Sequence, residues 1–434
     1  MYFLYERICS LHHTPMTSQI QNTIKIRNPR RPDQPPIEVK AGYPTAIQLE
    51  SARPQDFASS SRAIPAKQST VTIPVSGAQR MCKVSADGAR IFVVNSSGTG
   101  SVVNSLTERV EKTFQVAIHP NPAQPYPTDL PAPPIVSPFA RGGINHKHKR
   151  LYVPASFYTE ERNADFSGFF VAVVDIDPGS GDYLKTIAWI DCGRLPEEIG
   201  FSPDEETGVI ANYFQGTVTI FKAADHSIVA AEVDGFDGAG AGPDRPCARS
   251  LRCANVPGIG NRAFFTLSDE LPLPGCAVFD LDDPAFTRTN ITDPAFGFID
   301  GVAVTPPDQS RVLLVDASNN SLHVVRIDGA AQSIERSIAL PGGHAYFGAI
   351  ATKGADNTCF IATGFPEPSA TPFGTSLVQV NYETGAVTEN PTNLPADTYE
   401  LAIAMYGTPA IPHVVSCASS GFVAISPLTS QGVV

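Results

Sequence analysis

The sequence predicts an all-β chain folded as a seven-bladed β-propeller behind a Pro-rich N-terminal arm, and three observations predict it. The first is composition: 434 residues contain 34 Gly and 39 Pro, with 17% charged and 42% hydrophobic side chains. Pro exceeds its ordinary share of about 5%, and charge falls below the usual value of about a quarter. Such a chain is neither a coiled coil, which needs Ala, Glu, Lys, Leu and Arg in bulk, nor a disordered polyampholyte. The second is a unit of short strands recurring about every 53 residues, with equivalent positions at Val84, Ile144, Phe201, Arg252, Val304, Ala351 and Ala404. The third is that the last copy stops after three strands, while Thr70-Val-Thr-Ile-Pro-Val75 lies just ahead of the first copy.

The template copy begins with Arg80-Met-Cys-Lys-Val84 and continues through Asp87-Gly88 to Ile91-Phe-Val-Val94. Asp-Gly between two apolar alternations marks a hairpin, because both residues accept the positive φ that a tight turn requires. A third strand follows over 100–104 and a fourth over 109–116. The same order returns from Gly143, Gly200, Asp300, Phe347 and Glu400, with a divergent copy over 249–291 that keeps a six-bladed alternative open. A single blade cannot bury both its faces, so the copies stack around an axis. Pairing of a strand over 69–76 with the last blade would close the ring over 67–434. Residues 1–66 are rich in Pro, Gln and Ser, carry no sustained period, and read as an extended or partly disordered arm.

Two segments, Val84-Ser-Ala-Asp-Gly-Ala-Arg-Ile-Phe-Val-Val94 and Gly301-Val-Ala-Val-Thr-Pro-Pro-Asp308, resemble blades of the YVTN and lactonase-like propellers. The resemblance spans roughly 68–434 and implies the fold rather than a reaction. In the gluconolactonase-like family a Glu, an Asn and an Asp surround a divalent metal, and Asp300-Gly-Val-Ala-Val resembles the strand start that carries such a ligand. Neighbouring Arg residues would oppose a cation.

Two features place a site. Loops within hairpins are short, whereas those over 120–138, 156–168, 234–246 and 364–375 are long and share the opposite face. Long loops on one side of a rigid scaffold are where function concentrates. The aromatic residues Phe157, Tyr158, Tyr213, Tyr346, Phe347 and Phe365 are the expected substrate-binding set. Just before each first strand one position, give or take one residue, reads Arg80, Arg141, Glu197 or Glu198, Arg249, Asp300, Phe347 and Glu400. Gathered around the axis, Arg80, Arg141 and Arg249 would polarise oxygen atoms, and Glu198, Asp300 or Glu400 would move a proton.

The resulting expectation is a small-molecule enzyme of lactonase or cyclase type, working on a hydrophobic oxygenated substrate. A natural-product cyclase of the hetero-Diels–Alder kind belongs to that group. It would need no cofactor, with Ca²⁺ shared by the carboxylates as the alternative. The alternative function is a non-catalytic propeller that binds a protein or peptide through its long-loop face. A net charge of −12 without a long basic cluster argues against nucleic acid. No apolar run approaches a membrane span, and Glu6 and Arg7 interrupt the N-terminal Met1-Tyr-Phe-Leu-Tyr5, which points to a cytoplasmic protein. The eight Cys form no CxxC motif and read as free thiols, with Cys247 and Cys253 as the pair to examine for a disulfide. His146 and His148 occupy a turn, and no GxSxG, HExxH, P-loop or Rossmann fingerprint is present.

Overall fold

Hairpin follows hairpin from residue 70 onward. The computed structural model describes residues 23–26, 37–40, 70–117, 135–136, 141–156, 169–193, 196–213, 216–234, 247–268, 275–306, 309–328, 331–342, 346–353, 357–363, 376–391, 398–406, 411–418, 421–429 and 432–433. From residue 70 onward they form seven antiparallel sheets, which makes seven blades and removes the six-bladed alternative.

Blade one comprises Gln79–Val84, Arg90–Asn95, Thr99–Asn104 and Arg109–Gln115. Blade two comprises Gly143–Asn145, Arg150–Ser156, Phe169–Asp175 and Thr186–Asp191. Blade three comprises Pro196–Phe201, Thr207–Asn212, Thr217–Lys222 and Ile228–Asp234. Blade four comprises Cys247–Val256, Gly260–Ser268, Gly275–Asp280 and Arg288–Thr292. Blade five comprises Ile299–Val304, Arg311–Asp316, Ser321–Asp328 and Ala331–Ala339. Blade six comprises Tyr346–Lys353, Thr358–Thr363, Ser376–Asn381 and Val387–Pro391. Blade seven takes Thr398–Tyr406, Ile411–Ala418 and Phe422–Thr429 from the C-terminal end, and Val71–Pro74 from the other. The register Val71↔Ile425 to Pro74↔Phe422 places the N-terminal strand outermost in that blade.

All seven equivalent positions read from the sequence fall on first strands. One departure is in blade two. Its first strand covers only Gly143–Asn145, and Ile135–Val136 pairs separately with the far end of the second strand, at Ala155 and Ser156. Just ahead of Gly143–Asn145, Gly142 takes a left-handed backbone, φ 58°.

Strand alternation divides the core. In Arg90–Asn95, Phe92 and Val94 enter the cluster shared with blade two, while Ile91 and Val93 enter the one shared with blade seven. Comparable clusters join blades two and three, three and four, four and five, and five and six. Burying one such side chain stabilises by about 1.5–3 kcal/mol, so the seams between blades carry much of the fold's hydrophobic stabilisation.

The chain divides into the units Met1–Arg62 and Ala63–Val434. In the first, Thr23–Ile26 pairs antiparallel with Ile37–Lys40, from Thr23↔Lys40 to Ile26↔Ile37. Sequence reading found no element there, because an alternation only four residues long does not rise above the Pro-rich background. The remaining expectations for the arm lie outside the described residues. Among the described residues no helix is long and apolar enough to cross a membrane.

Candidate functional site

The axial charges lie on the first strands, not ahead of them, except Arg141, which precedes Gly143–Asn145, and most of them coincide with a defect. In six blades the register of the first two strands shifts at this height: between Gln79 and Met81, Pro196 and Ile199, Ala248 and Leu251, Ile299 and Gly301, Tyr346 and Ile350, and Thr398 and Glu400. A bulge leaves residues out of the ladder and re-aims their side chains. Arg80, Glu197, Glu198, Arg249, Asp300 and Phe347 are among the residues so released.

Glu198 shows what the bulge accomplishes. Its side chain is buried, its Oε2 accepts a 2.9 Å bond from Leu251 N, and its Oε1 accepts from the Arg252 guanidinium, both on blade four. Arg141, leading into blade two, places Nη1 3.9 Å from Oε2. Burial pushes the carboxyl pKa up, but Arg252, Arg141, Lys83 and the Leu251 N–H together outweigh it and hold the group below its ordinary value. Glu198 is therefore a permanent carboxylate that ties three blades together.

Backbone and hydroxyl bonds continue the same ring. Arg141 N and Gly142 N donate to Glu197 O at 2.9 and 3.0 Å, and Ile199 N donates to Gly142 O at 3.1 Å. A Cβ on Gly142 would stand 2.5 Å from Met81 Cε and 2.6 Å from Tyr152 O, so glycine is what allows this approach. Between blades four and five, Ser250 Oγ accepts from Val302 N at 3.3 Å.

A second repeated position escaped sequence reading. Second strands end in Val-Val-Asn95, Ile-Ala-Asn212 and Leu-Val-Asp316, an apolar pair before Asn or Asp that was the available signal. Asn95 donates to Ser76 O at 2.9 Å and accepts from Ser97 N and Thr99 N, both at 3.0 Å. Asp316 accepts from Gly297 N at 2.7 Å, and His323 bridges it at 3.3 Å to Ser337 Oγ at 2.9 Å. Ser76 and Gly297 lie on the crossings that enter blades one and five, so these side chains anchor the inter-blade connections. Asn212 turns inward instead, to Thr217 and Thr219.

The structure brings Arg141 and Glu198 together and buries Asp300 completely. Arg80 is half-buried on the first strand of blade one. Arg249, Glu400 and Phe347 have their backbones on first strands, but their side chains lie outside the described residues, as do Phe157, Tyr158 and Phe365 altogether. Tyr213 and Tyr346 are buried, and Tyr346 Oη donates to Pro341 O at 2.8 Å. Arg252, which carries the strongest contact to Glu198, entered the sequence reading only as a repeat marker. Cys253 is a free thiol whose pKa burial pushes up to about 12, so the disulfide considered for it does not form. Among the described residues no group of three His, Cys, Asp or Glu side chains is placed to hold a metal ion.

Two solved structures resemble the chain. The Cps50 (Swd1) beta-propeller domain of Myceliophteria thermophila matches with a TM-score of 0.56 and 11% identity, covering 83% of this chain and 100% of that one. The RRP9 WD40 repeats match with a TM-score of 0.56 and 11% identity, covering 85% of this chain and 99% of the other. The fold is a seven-bladed β-propeller. No family model matches the chain, and no curated protein does.

These neighbours are WD40 propellers, not lactonases or cyclases. They overturn the expectation of a lactonase- or cyclase-type enzyme, and with it a small hydrophobic or aromatic molecule as partner.

Proposed function

We propose that the protein is a non-catalytic propeller scaffold that binds a protein or peptide. The observation that carries this reading is the Glu198 cluster, in which the wall's best-placed acid is committed to Arg252, Arg141 and Leu251 N. Charges that join blades make a rigid ring, and a rigid ring presents its rim to a partner with little ordering cost. WD40 propellers, which the solved neighbours are, act as protein-interaction scaffolds, and this likeness supports the same reading. The long-loop face read from the sequence remains the first surface to test.

The blade motifs that resemble YVTN propellers belong to this proposal as a statement about blade sequence, not chemistry. So does a cytoplasmic setting, which the thiols of Cys253, Cys276 and Cys359 favour. The scaffold needs no cofactor. Affinity purification followed by reconstitution from purified components tests the reading. It predicts a complex of fixed stoichiometry with a co-purifying protein. Failure of every co-purifying protein to reconstitute would overturn it.

A further inference from the structure

Four large hydrophobic side chains stand exposed among the described residues: Leu106, Val110, Ile228 and Val229. All lie where a third strand turns into the outermost fourth strand. At the pairing position just past this turn, the blades carry Val110, Thr186, Ile228, Arg288, Gln332 and Val387, opposite Val103, Val174, Phe221, Phe279, Ile327 and Val380. Blades two, four and five are polar there, and Val387 packs against the core of its own seam. Val110 is flanked by Arg109 and Glu111. Only blade three, among the described residues, exposes two adjacent aliphatic side chains, Ile228 at 43% and Val229 at 48%.

The cause is local. The ladder between Thr217–Lys222 and Ile228–Asp234 shifts register twice, between Val218 and Ile220 and again between Ile220 and Phe221. The second shift leaves Val229 unpaired beside Ile228, so two consecutive side chains face outward instead of alternating. The same shifts interrupt the row of outward N–H and C=O groups, which blunts the edge against strand addition. A partner must therefore dock through side chains.

Its charge is set by what surrounds the aliphatic pair. The two turns at this end of blade three are joined by Ala223 N donating to Glu206 O at 2.8 Å. They carry Asp204, Glu205, Glu206 and Asp225 against Lys222 and, from blade two, Lys147. Lys147 is already engaged, its Nζ 2.5 Å from Glu206 Oε1 and 3.2 Å from Asp204 O. Asp204 is held ionised by the Ser202 hydroxyl and the Glu206 N–H, and Asp225 by the Ser227 hydroxyl and N–H. A second copy of this chain would bring the same carboxylates against themselves.

We infer that the outer corner of blade three, Ile228 and Val229 beside Asp225 and at the same end of the blade as Asp204, Glu205 and Glu206, docks a basic amphipathic segment of a partner protein. This rests on the scaffold reading and adds a surface distinct from the long-loop face. The test uses a short fluorescent peptide alternating lysine with valine, its glutamate-for-lysine counterpart, and methyl NMR of the full chain. The lysine peptide is expected to bind and to shift the Ile228 and Val229 methyl signals. The double substitution Ile228→Ser with Val229→Ser is expected to weaken it by about tenfold or more. Asp225→Lys provides an independent loss through charge should the serine variant fold poorly. Equal binding of both peptides, or affinity unchanged by either variant, overturns the inference. A dimer in sedimentation velocity that the serine variant dissolves overturns the choice of occupant. A reconstituted partner that binds the serine variant normally sinks this surface and leaves the scaffold standing, whereas failure to reconstitute any partner removes both.

Discussion

The channel wall at Glu198 and the outer corner of blade three invert the usual placement of residues in opposite directions. At the wall a carboxylate sits 2% exposed beside Arg141 and Arg252, where an aliphatic side chain would be ordinary. At the corner Ile228 and Val229 face water, where Lys or Glu would be ordinary. Both departures sit on β-bulges, so the fold uses one device twice. On the inside the released side chain binds the next blade. On the outside no further blade exists, and the released side chains are left for something else. Glu198 ends on blade four and on Arg141, whereas the apolar pair at the corner joins no packed cluster among the described residues.

The largest effect should come from breaking the wall. Glu198→Gln leaves Arg252 and Arg141 facing a neutral amide, and chemical denaturation should register a loss of about 3–5 kcal/mol, the usual cost of removing one member of a buried ion pair. A loss below about 1 kcal/mol would make the wall as dispensable as the rim.

Next in size is Gly142→Ala. The new Cβ meets Met81 Cε and Tyr152 O inside van der Waals contact, on a backbone with φ 58°. A loss of about 2 kcal/mol is expected in the same denaturation experiment. A neutral result would mean that the close approach of Gly142 to Met81 of blade one and to Tyr152 O is not required.

Titration separates the regions more gently. Glu198 has a folded pKa below its unfolded one, so its contribution is fully present above the ordinary carboxylate value and is lost as pH falls through the lowered folded value. Urea midpoints measured across that acid window should fall for the natural chain and fall less steeply for Glu198→Gln. Identical slopes would show that Glu198 is not a main source of acid sensitivity.

The smallest effect belongs to the rim. Ile228→Ser with Val229→Ser should change stability by no more than about 0.5 kcal/mol, because neither side chain lies in a packed seam. A larger loss would place the pair in the core of the blade and end the contrast.

The blades were legible because each rests on local chemistry. Asp87-Gly88 turns one hairpin, and alternation such as Ile91-Phe-Val-Val94 assigns one face to each neighbouring blade. The column from Arg80 to Glu400 was legible too, since a repeat places equivalent residues at one height. That Arg80, Glu197, Glu198, Arg249, Asp300 and Phe347 lie in bulges was not legible, because a register shift depends on the strand opposite. Nor was the partnership of Glu198 with Arg252, which joins residues on different blades. The apolar pair before Asn95, Asn212 and Asp316 was readable, but its use depends on crossings such as those at Ser76 and Gly297. Function was least legible, because charges around an axis suit either a reaction or a clasp, and fold alone does not choose between them.

The central claim is that the axial charges bind blade to blade, leaving the rim to bind partners. A double-mutant cycle of Glu198→Gln and Arg252→Gln, read by chemical denaturation, tests it most directly. The account predicts strong coupling, about 1 kcal/mol or more, because the buried Glu198 carboxylate is in direct contact with the half-buried Arg252 guanidinium. Additivity within about 0.3–0.5 kcal/mol would contradict it, showing that the two charges act independently and that the wall is not a clasp.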